Sequence, residues 1–277
     1  MTERQPSRKG IRADRLLVER GLFESRAKAQ AAIAAGGVIA DGRPVARASD
    51  LLTGDAALAA TPAHPWVGRG ALKLEHALTR WEIAVIGRVV LDVGASTGGF
   101  TEVCLAAGAR RVYAVDVGRG QLHPSLIGDP RVVSLEGLDA RSLTAAEVPA
   151  PPDLIVCDVS FISLAKALPA ALALARPYAH LLALVKPQFE VGPDRVGKGG
   201  VVKDAEAQAD ALAGVEAFLT ASGWTVLATA DSPITGADGN REFLLWAERN
   251  SSWTEVVRPI CSGWRILVGR ALTAPGL

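Results

Sequence analysis

Residues 89–108, VVLDVGASTGGFTEVCLAAG, carry an apolar run straight into glycines and out again into helix-forming residues. A strand closing at Asp92, a turn over Gly94, Ala95, Ser96, Thr97 and Gly98, and a helix opening near Gly99 and Phe100 bring bare backbone N–H groups against a ligand. The spacing is not GxGxxG, because Gly98-Gly99 replaces the usual pattern. The next apolar run, RVYAVDV (111–117), places Asp116 where a carboxylate accepts both hydroxyls of a ribose. A glycine turn with an acid on the second strand points to an adenosine-bearing cofactor. Asp92 suits the amino group of a methionine moiety, which favours S-adenosylmethionine over NAD. The plain alternative is a βαβ turn that holds no ligand.

Four more polar residues fall at comparable places. Asp158 closes the run DLIVCDVS (153–160), and Lys186, followed by proline, closes HLLALVKP (180–187). In an open α/β sheet the carboxyl ends of the strands form the ligand-binding edge. Glu242 opens the last run, EFLLWAE, and reaches that edge if the strand runs antiparallel. Lys73 sits on an amphipathic helix just before the first strand. Singly, each of these reads as a surface charge. Two other patterns mislead. GASTG (94–98) matches the GxSxG nucleophile elbow, but the late histidine that chemistry needs is missing, since none follows His180. GPDRVGKG (192–199) resembles a phosphate-binding loop with Gly199 in place of Ser or Thr, and a lid or substrate loop is the better reading.

The elements that must position these residues fall into two rhythms. Residues 1–10 are polar and expected to be disordered. Residues 12–20 read as a short amphipathic helix closed by Gly21, and Ser25 caps a second helix ending at Gly36-Gly37. VIADGRPV then reads as a hairpin turning at Asp41-Gly42. Residues 50–60 add short strands, and TPAHPWVGRG (61–70) reads as a linker in which Trp66 either couples the two parts or serves as an apolar anchor. From residue 71 onward, seven short apolar runs alternate with helical stretches. The first five are apolar almost throughout, as in a parallel sheet buried on both faces. That makes a doubly wound α/β fold behind a small N-terminal α+β unit. Residues 249–277 fit neither rhythm.

The 277 residues carry a net charge of +1 and a mean hydropathy of +0.23. No apolar run long enough to span a bilayer lacks charges, and the N-terminus has no signal-peptide core. Three scattered cysteines form no disulfide framework, which fits a reducing cytoplasm, and the four histidines lack metal-ligand spacing. Charge is unevenly distributed. Residues 1–73 hold 12 Lys and Arg against 7 Asp and Glu, while the remainder holds 18 against 22. A basic module on a mildly acidic body suggests a nucleic acid partner, with a solvated charged surface as the alternative.

Several long motifs together resemble the TlyA (haemolysin A) family: VGRGALKL, LDVGASTGGFT, YAVDVGRGQL, DVSFISL, LVKPQFE, VGKGGVVKD and SPITGADGNREFLL. That family is similar to the FtsJ-type RNA 2′-O-methyltransferases. The resemblance runs from about residue 12 to 248. Its N-terminal part is similar to an S4 RNA-binding domain, with Ala13 and Asp41 where Leu and Asn are usual. It implies an S4-like domain over 1–60, a linker over 61–70, a Rossmann-like methyltransferase domain with a mostly parallel seven-stranded sheet over 71–248, and a tail of unassigned role. It further implies a Lys73–Asp158–Lys186–Glu242 catalytic set and a cofactor site of Asp92, Gly94 to Phe100, Asp116 and Asp139, with Phe161 walling the methionine end. The substrate it implies is ribosomal RNA, alone or in ribosomal subunits, methylated on a cytidine 2′-hydroxyl, with no metal and no membrane.

On that reading the chemistry is an in-line displacement needing alignment and loss of one proton. Lys186 is the candidate base. Burial and the second cation Lys73 favour its neutral form, whereas Asp158 orients it and favours the charged one. Glu242 holds either Lys73 or the ribose. Arg12, Arg26, Lys28 and Arg43 are the expected phosphate contacts. The competing readings are a non-catalytic S4-type RNA-binding protein and a haemolysin.

Overall fold

A computed structural model describes residues 10–236 and 239–250. The N-terminal unit begins with β1 (Ile11–Arg12), α1 (Ala13–Glu19) and α2 (Arg26–Ala34). Helix α2 starts where expected: Ser25 Oγ accepts from the Lys28 N–H at 3.3 Å. It ends where Gly36 takes a φ of +73° that a side chain would resist. Strands β2 (Val38–Ala40) and β3 (Arg43–Pro44) form the hairpin, with Asp41 and Gly42 both at positive φ, the requirement of a tight two-residue turn. Asp41 also accepts from the Ala57 N–H at 2.8 Å, tying the turn to the following segment. Short strands β4 (Leu51–Leu52) and β5 (Leu58–Ala60) pair with β1 and β2 respectively. Leu17, Phe23, Ile33, Val38 and Val45 form this unit's own core.

After α3 (Ala71–Arg80) the doubly wound part begins. Its elements are β6 (Val89–Val93), α4 (Gly99–Ala106), β7 (Arg111–Asp116), α5 (Pro124–Ile127), β8 (Val132–Glu136), β9 (Leu154–Cys157), α6 (Leu164–Ala167), α7 (Pro169–Leu174), β10 (Tyr178–Val185), α8 (Pro187–Glu190), α9 (Ala205–Ala221), β11 (Trp224–Asp231) and β12 (Phe243–Asn250). The sheet order is β11-β12-β10-β9-β6-β7-β8. The five strands from β8 to β10 are parallel, and β12 runs antiparallel between β10 and β11.

The order reverses at β6, so the crevice between the β6 and β9 ends is the expected ligand site. Alternate residues of the buried strands serve opposite faces. Val89, Leu91 and Val93 pack toward α6, α7 and α9, while Val90 packs toward α3 and α4. Asp92 shares the parity of Val90, which sends its carboxylate under α4.

Two expectations need correction. Residues 66–70 are not a plain linker: Trp66 and Val67 pack on the α3–α4 core, and Gly68, Arg69 and Gly70 line a cavity at the sheet edge. Strand β12 runs on to Asn250, so residue 249 does not open a tail. Residues 1–9 and 251–277 lie outside the described residues.

Candidate active site and cofactor pocket

Two adjoining cavities open at the carboxyl edge of the parallel strands. They share Gly94, Ser96, Asp158, Ser160 and Phe161 as a common wall. One, of about 600 Å³, is lined by Lys73, Asp158, Lys186 and Glu242 together with Gly68, Gly70 and the glycine turn. The other, of about 500 Å³, is lined by Asp116, Asp139, Val117, Leu138 and Ile162.

In the first cavity all four residues converge, although α3, the β9 end, the β10 end and the β12 start supply them from four separate parts of the chain. Lys186 Nζ lies 2.6 Å from Asp158 Oδ1 and donates to Ser160 Oγ at 2.9 Å. Lys73 Nζ lies 2.6 Å from Glu242 Oε2 and 3.4 Å from Asp158 Oδ2. Both lysines and Glu242 are buried. Two cations and two carboxylates thus balance, as buried charges must if they are to stay ionised. The antiparallel direction of β12 is what delivers Glu242 to this edge.

The second cavity has the parts an adenosine needs. Asp116 Oδ2 accepts from the Ser96 N–H at 2.8 Å and Oδ1 from the Gly118 N–H at 2.7 Å, so the carboxylate is fixed with lone pairs left for a ribose. Val117, Leu138 and Ile162 give apolar sides for a flat base, and Asp139 gives an acceptor. Asp139 is held by Arg141, whose guanidinium and N–H keep its carboxyl down at about 2. Gly94 permits the close wall between the cavities. At φ +84°, a Cβ there would meet Val159 at 3.0 Å and the Asp158 carbonyl at 3.2 Å.

Other expected cofactor residues are placed differently. Asp92 is wholly buried and lines neither cavity. Thr101 Oγ1 donates to its Oδ2 at 2.6 Å, while its Oδ1 has no hydrogen-bond partner among the described residues. Burial, opposed by the Thr101 bond, pushes its carboxyl up to about 7. It therefore supports the turn from below and stands apart from the lining of both cavities, where it was expected to meet a methionine amino group. Gly98 does not line the cavities either; its open space is filled by Leu122 and Leu126. Ala95, Ser96, Thr97, Gly99 and Phe100 do line the first cavity. Phe161 stands at the mouth, 91% exposed at φ +66°, with its ring 5.2 Å from Phe189.

The glycine loop at 192–200 walls the first cavity through Val196 and Gly200. Ser160 and Asn240 escaped sequence reasoning. Asn240 Oδ1 accepts from the Val202 N–H and its Nδ2 donates to the Gly200 carbonyl, which pins the loop two residues from Glu242. Its position inside the GADGNREF motif was the available signal. Of the expected RNA contacts, Arg12 and Arg26 both clasp Asp14, Lys28 pairs with Glu24, and Arg43 has no ion pair among the described residues.

A family model for FtsJ-like methyltransferases matches residues 66–249, and one for the S4 domain matches residues 11–58. The chain belongs to the FtsJ-like methyltransferase family. The chain is 47% identical to the 16S/23S rRNA (cytidine-2′-O)-methyltransferase TlyA of Mycobacterium tuberculosis over 85% of this chain and 88% of that protein. It is 36% identical to Hemolysin A of Brachyspira hyodysenteriae over 84% and 98%. A solved structure described as "Putative hemolysin from Streptococcus thermophilus" superposes with a TM-score of 0.70 at 37% identity, covering 89% of this chain and 90% of that one. Among the described residues, no helix is long and apolar enough to cross a membrane, and no cluster of metal-ligating side chains occurs.

Proposed function

We propose that this FtsJ-like chain transfers a methyl group from S-adenosylmethionine to a ribose 2′-hydroxyl of ribosomal RNA, with cytidine as the nucleotide. The observation that carries this reading is the convergence of Lys73, Asp158, Lys186 and Glu242 in a cavity that shares a wall with the one lined by Asp116 and Asp139. The TlyA relative in M. tuberculosis, named for that reaction, supports the choice of substrate.

S-adenosylmethionine, when bound, supplies an electrophilic methyl group on a positively charged sulfur. Asp116 would hold the ribose hydroxyls, and Asp139 with Leu138 and Ile162 would hold the base. Gly94 keeps the wall between the two cavities thin. Lys186 then works on the acceptor. Asp158 and Ser160 fix its Nζ, and once that nitrogen has released a proton to solvent it takes the proton of the attacking 2′-hydroxyl. Lys73, held by Glu242, places a second cation beside Asp158. Arg12, Arg26, Lys28 and Arg43 are assigned to RNA phosphates. We place the boundary of the RNA-binding unit at residue 60, and the methyltransferase unit opens at Trp66. The working compartment is the cytoplasm, where ribosomal RNA is found.

Incubating the full chain with ribosomal subunits and isotopically labelled S-adenosylmethionine, then mapping 2′-O-methylated positions, tests this directly. Label at a cytidine 2′-oxygen is expected. A chain that binds the cofactor yet labels no RNA overturns it.

A further inference from the structure

Asp14 is wholly buried near the start of the N-terminal unit. All of its side-chain partners are donors drawn from around it. Arg12 donates through Nε to Oδ1 and through Nη2 to Oδ2, both at 3.1 Å. Arg26 donates to Oδ2 through Nη2 at 2.7 Å and Nε at 3.2 Å, and Gln30 Nε2 donates to the same oxygen at 2.7 Å. Backbone bonds from Ala13 and Asp14 to Asp50 and Ala48 fix the base of the cluster. The carboxylate is sealed, but the arginines are not: their side chains remain 45% and 56% exposed.

This arrangement does more than bury a charge. One carboxylate neutralises one of two guanidiniums and leaves a surplus positive charge at the surface. Each guanidinium spends Nε and Nη2 on Asp14, which leaves the Nη1 donors and one Nη2 hydrogen of each outside the Asp14 cluster. Because both Nη2 atoms reach the same oxygen, at 3.1 and 2.7 Å, the two guanidiniums are close neighbours. A pair of fixed guanidinium edges with uncommitted donors suits the non-bridging oxygens of one phosphate group. Arginine ordinarily loses much rotamer freedom when it is fixed on a ligand, and here folding has already fixed it.

We infer that Asp14 is a positioning residue that holds Arg12 and Arg26 as a preformed two-guanidinium site for a single RNA backbone phosphate. This rests on the RNA-binding reading of the N-terminal unit, but adds to it the geometry of one subsite and a residue that touches no RNA.

The test exploits a sign. Simple electrostatics predicts that removing a carboxylate from an RNA-binding surface tightens binding. A positioning role predicts the reverse. The full-length Asp14→Asn chain is titrated against a short labelled RNA hairpin over a series of salt concentrations, with its folding checked by circular dichroism and amide exchange. Affinity is expected to fall about tenfold, the worth of ordering two arginine side chains, even though the protein has become more positive. The Arg12→Lys/Arg26→Lys double variant leaves Asp14 in place and keeps both charges but loses the fork. It is expected to lose a similar factor, and adding Asp14→Asn to it should cost little more. Asp14→Asn that binds the hairpin as tightly as the parent, or more tightly, overturns the proposal, as does full affinity in the double-lysine variant. If Asp14→Asn proves unfolded in the N-terminal unit, the double-lysine variant decides alone. Should Arg12→Ala/Arg26→Ala bind the hairpin like the parent with an unchanged salt slope, the assignment of these arginines to RNA fails as well, and that outcome is distinct from a loss confined to Asp14→Asn.

Discussion

Lys186 is where the proposed chemistry and a plain structural role make different predictions. Its ammonium is committed to Asp158 and Ser160. Removing it leaves Asp158 and Glu242 sharing the single cation Lys73, so the charge balance is broken and some stability is lost. Lys186→Ala is expected to lose methyl transfer by about 10²–10⁴-fold, the usual worth of a positioned base, while the folded protein still binds the cofactor. Lys186→Arg retains the ion pair but holds no proton it can give up, and an arginine variant that methylates at the parent rate would exclude Lys186 as the base. Asp92 offers a second test, read in stability. Its carboxyl is pushed up to about 7 by burial, so between its ordinary value near 4 and about pH 7 the folded protein binds a proton that the unfolded chain lacks. Stability is present below that window and declines as pH rises through it. Asp92→Asn keeps the acceptor for Thr101 and carries no charge. It should gain on the parent by up to a few kcal/mol between pH 5 and pH 8 in chemical denaturation, and parallel curves would refute the shift. The convergence of Asp158, Lys186 and Glu242 was legible from their strand-end positions, whereas a catalytic role for them and for Lys73 came only from the family resemblance. The burial of Asp92 was not legible, because it depends on which face of β6 the residue takes, and strand parity is set by packing that a linear motif does not display.

At the scale of elements, the turn between β6 and α4 decides whether the cavities form. Gly98 caps α4 at φ +95°, and a Cβ built there would lie 2.2 Å from Leu126 Cδ1 and 2.8 Å from Leu122 Cδ1. Both leucines are buried under the turn, so they have little room to yield. Gly98→Ala combines left-handed strain with overpacking and is expected to cost about 2–4 kcal/mol, with cofactor affinity falling alongside as the N–H groups of the turn shift. A stability change below about 1 kcal/mol, measured by denaturant unfolding, would show that α5 moves aside freely. The seven strands of the large sheet, the Ser25 cap and the Asp41-Gly42 turn were visible in the sequence, since period, cap and turn residues are local signals. The 66–70 segment was misread for the same reason. Glycine and proline mark a chain that leaves regular structure, and they say nothing of whether it lines a cavity.

For the molecule as a whole, the charge asymmetry and the core boundaries coincide. Residues 1–60 hold 10 Lys and Arg against 7 Asp and Glu, and their apolar cluster contains no residue beyond Ala60. The two clusters that flank the large sheet use no residue before Trp66. Contact between the units includes the exposed pair of His123 with Glu24 at 3.4 Å, a weak tie in water. A chain starting at residue 61 keeps Gly68, Gly70 and Lys73, and hence every residue assigned to the two cavities. It should fold, bind S-adenosylmethionine with near-parental affinity by calorimetry, and methylate ribosomal RNA very poorly. The lost affinity should carry most of the salt dependence, because the deleted arginines and lysine are the assigned phosphate contacts and each released counterion steepens the slope. A shortened chain that methylates at the full rate with an unchanged salt slope would move RNA anchoring onto the methyltransferase unit. A shortened chain that folds but no longer binds cofactor would instead mean that the N-terminal unit braces the 66–70 segment, and so governs the cavity it lines.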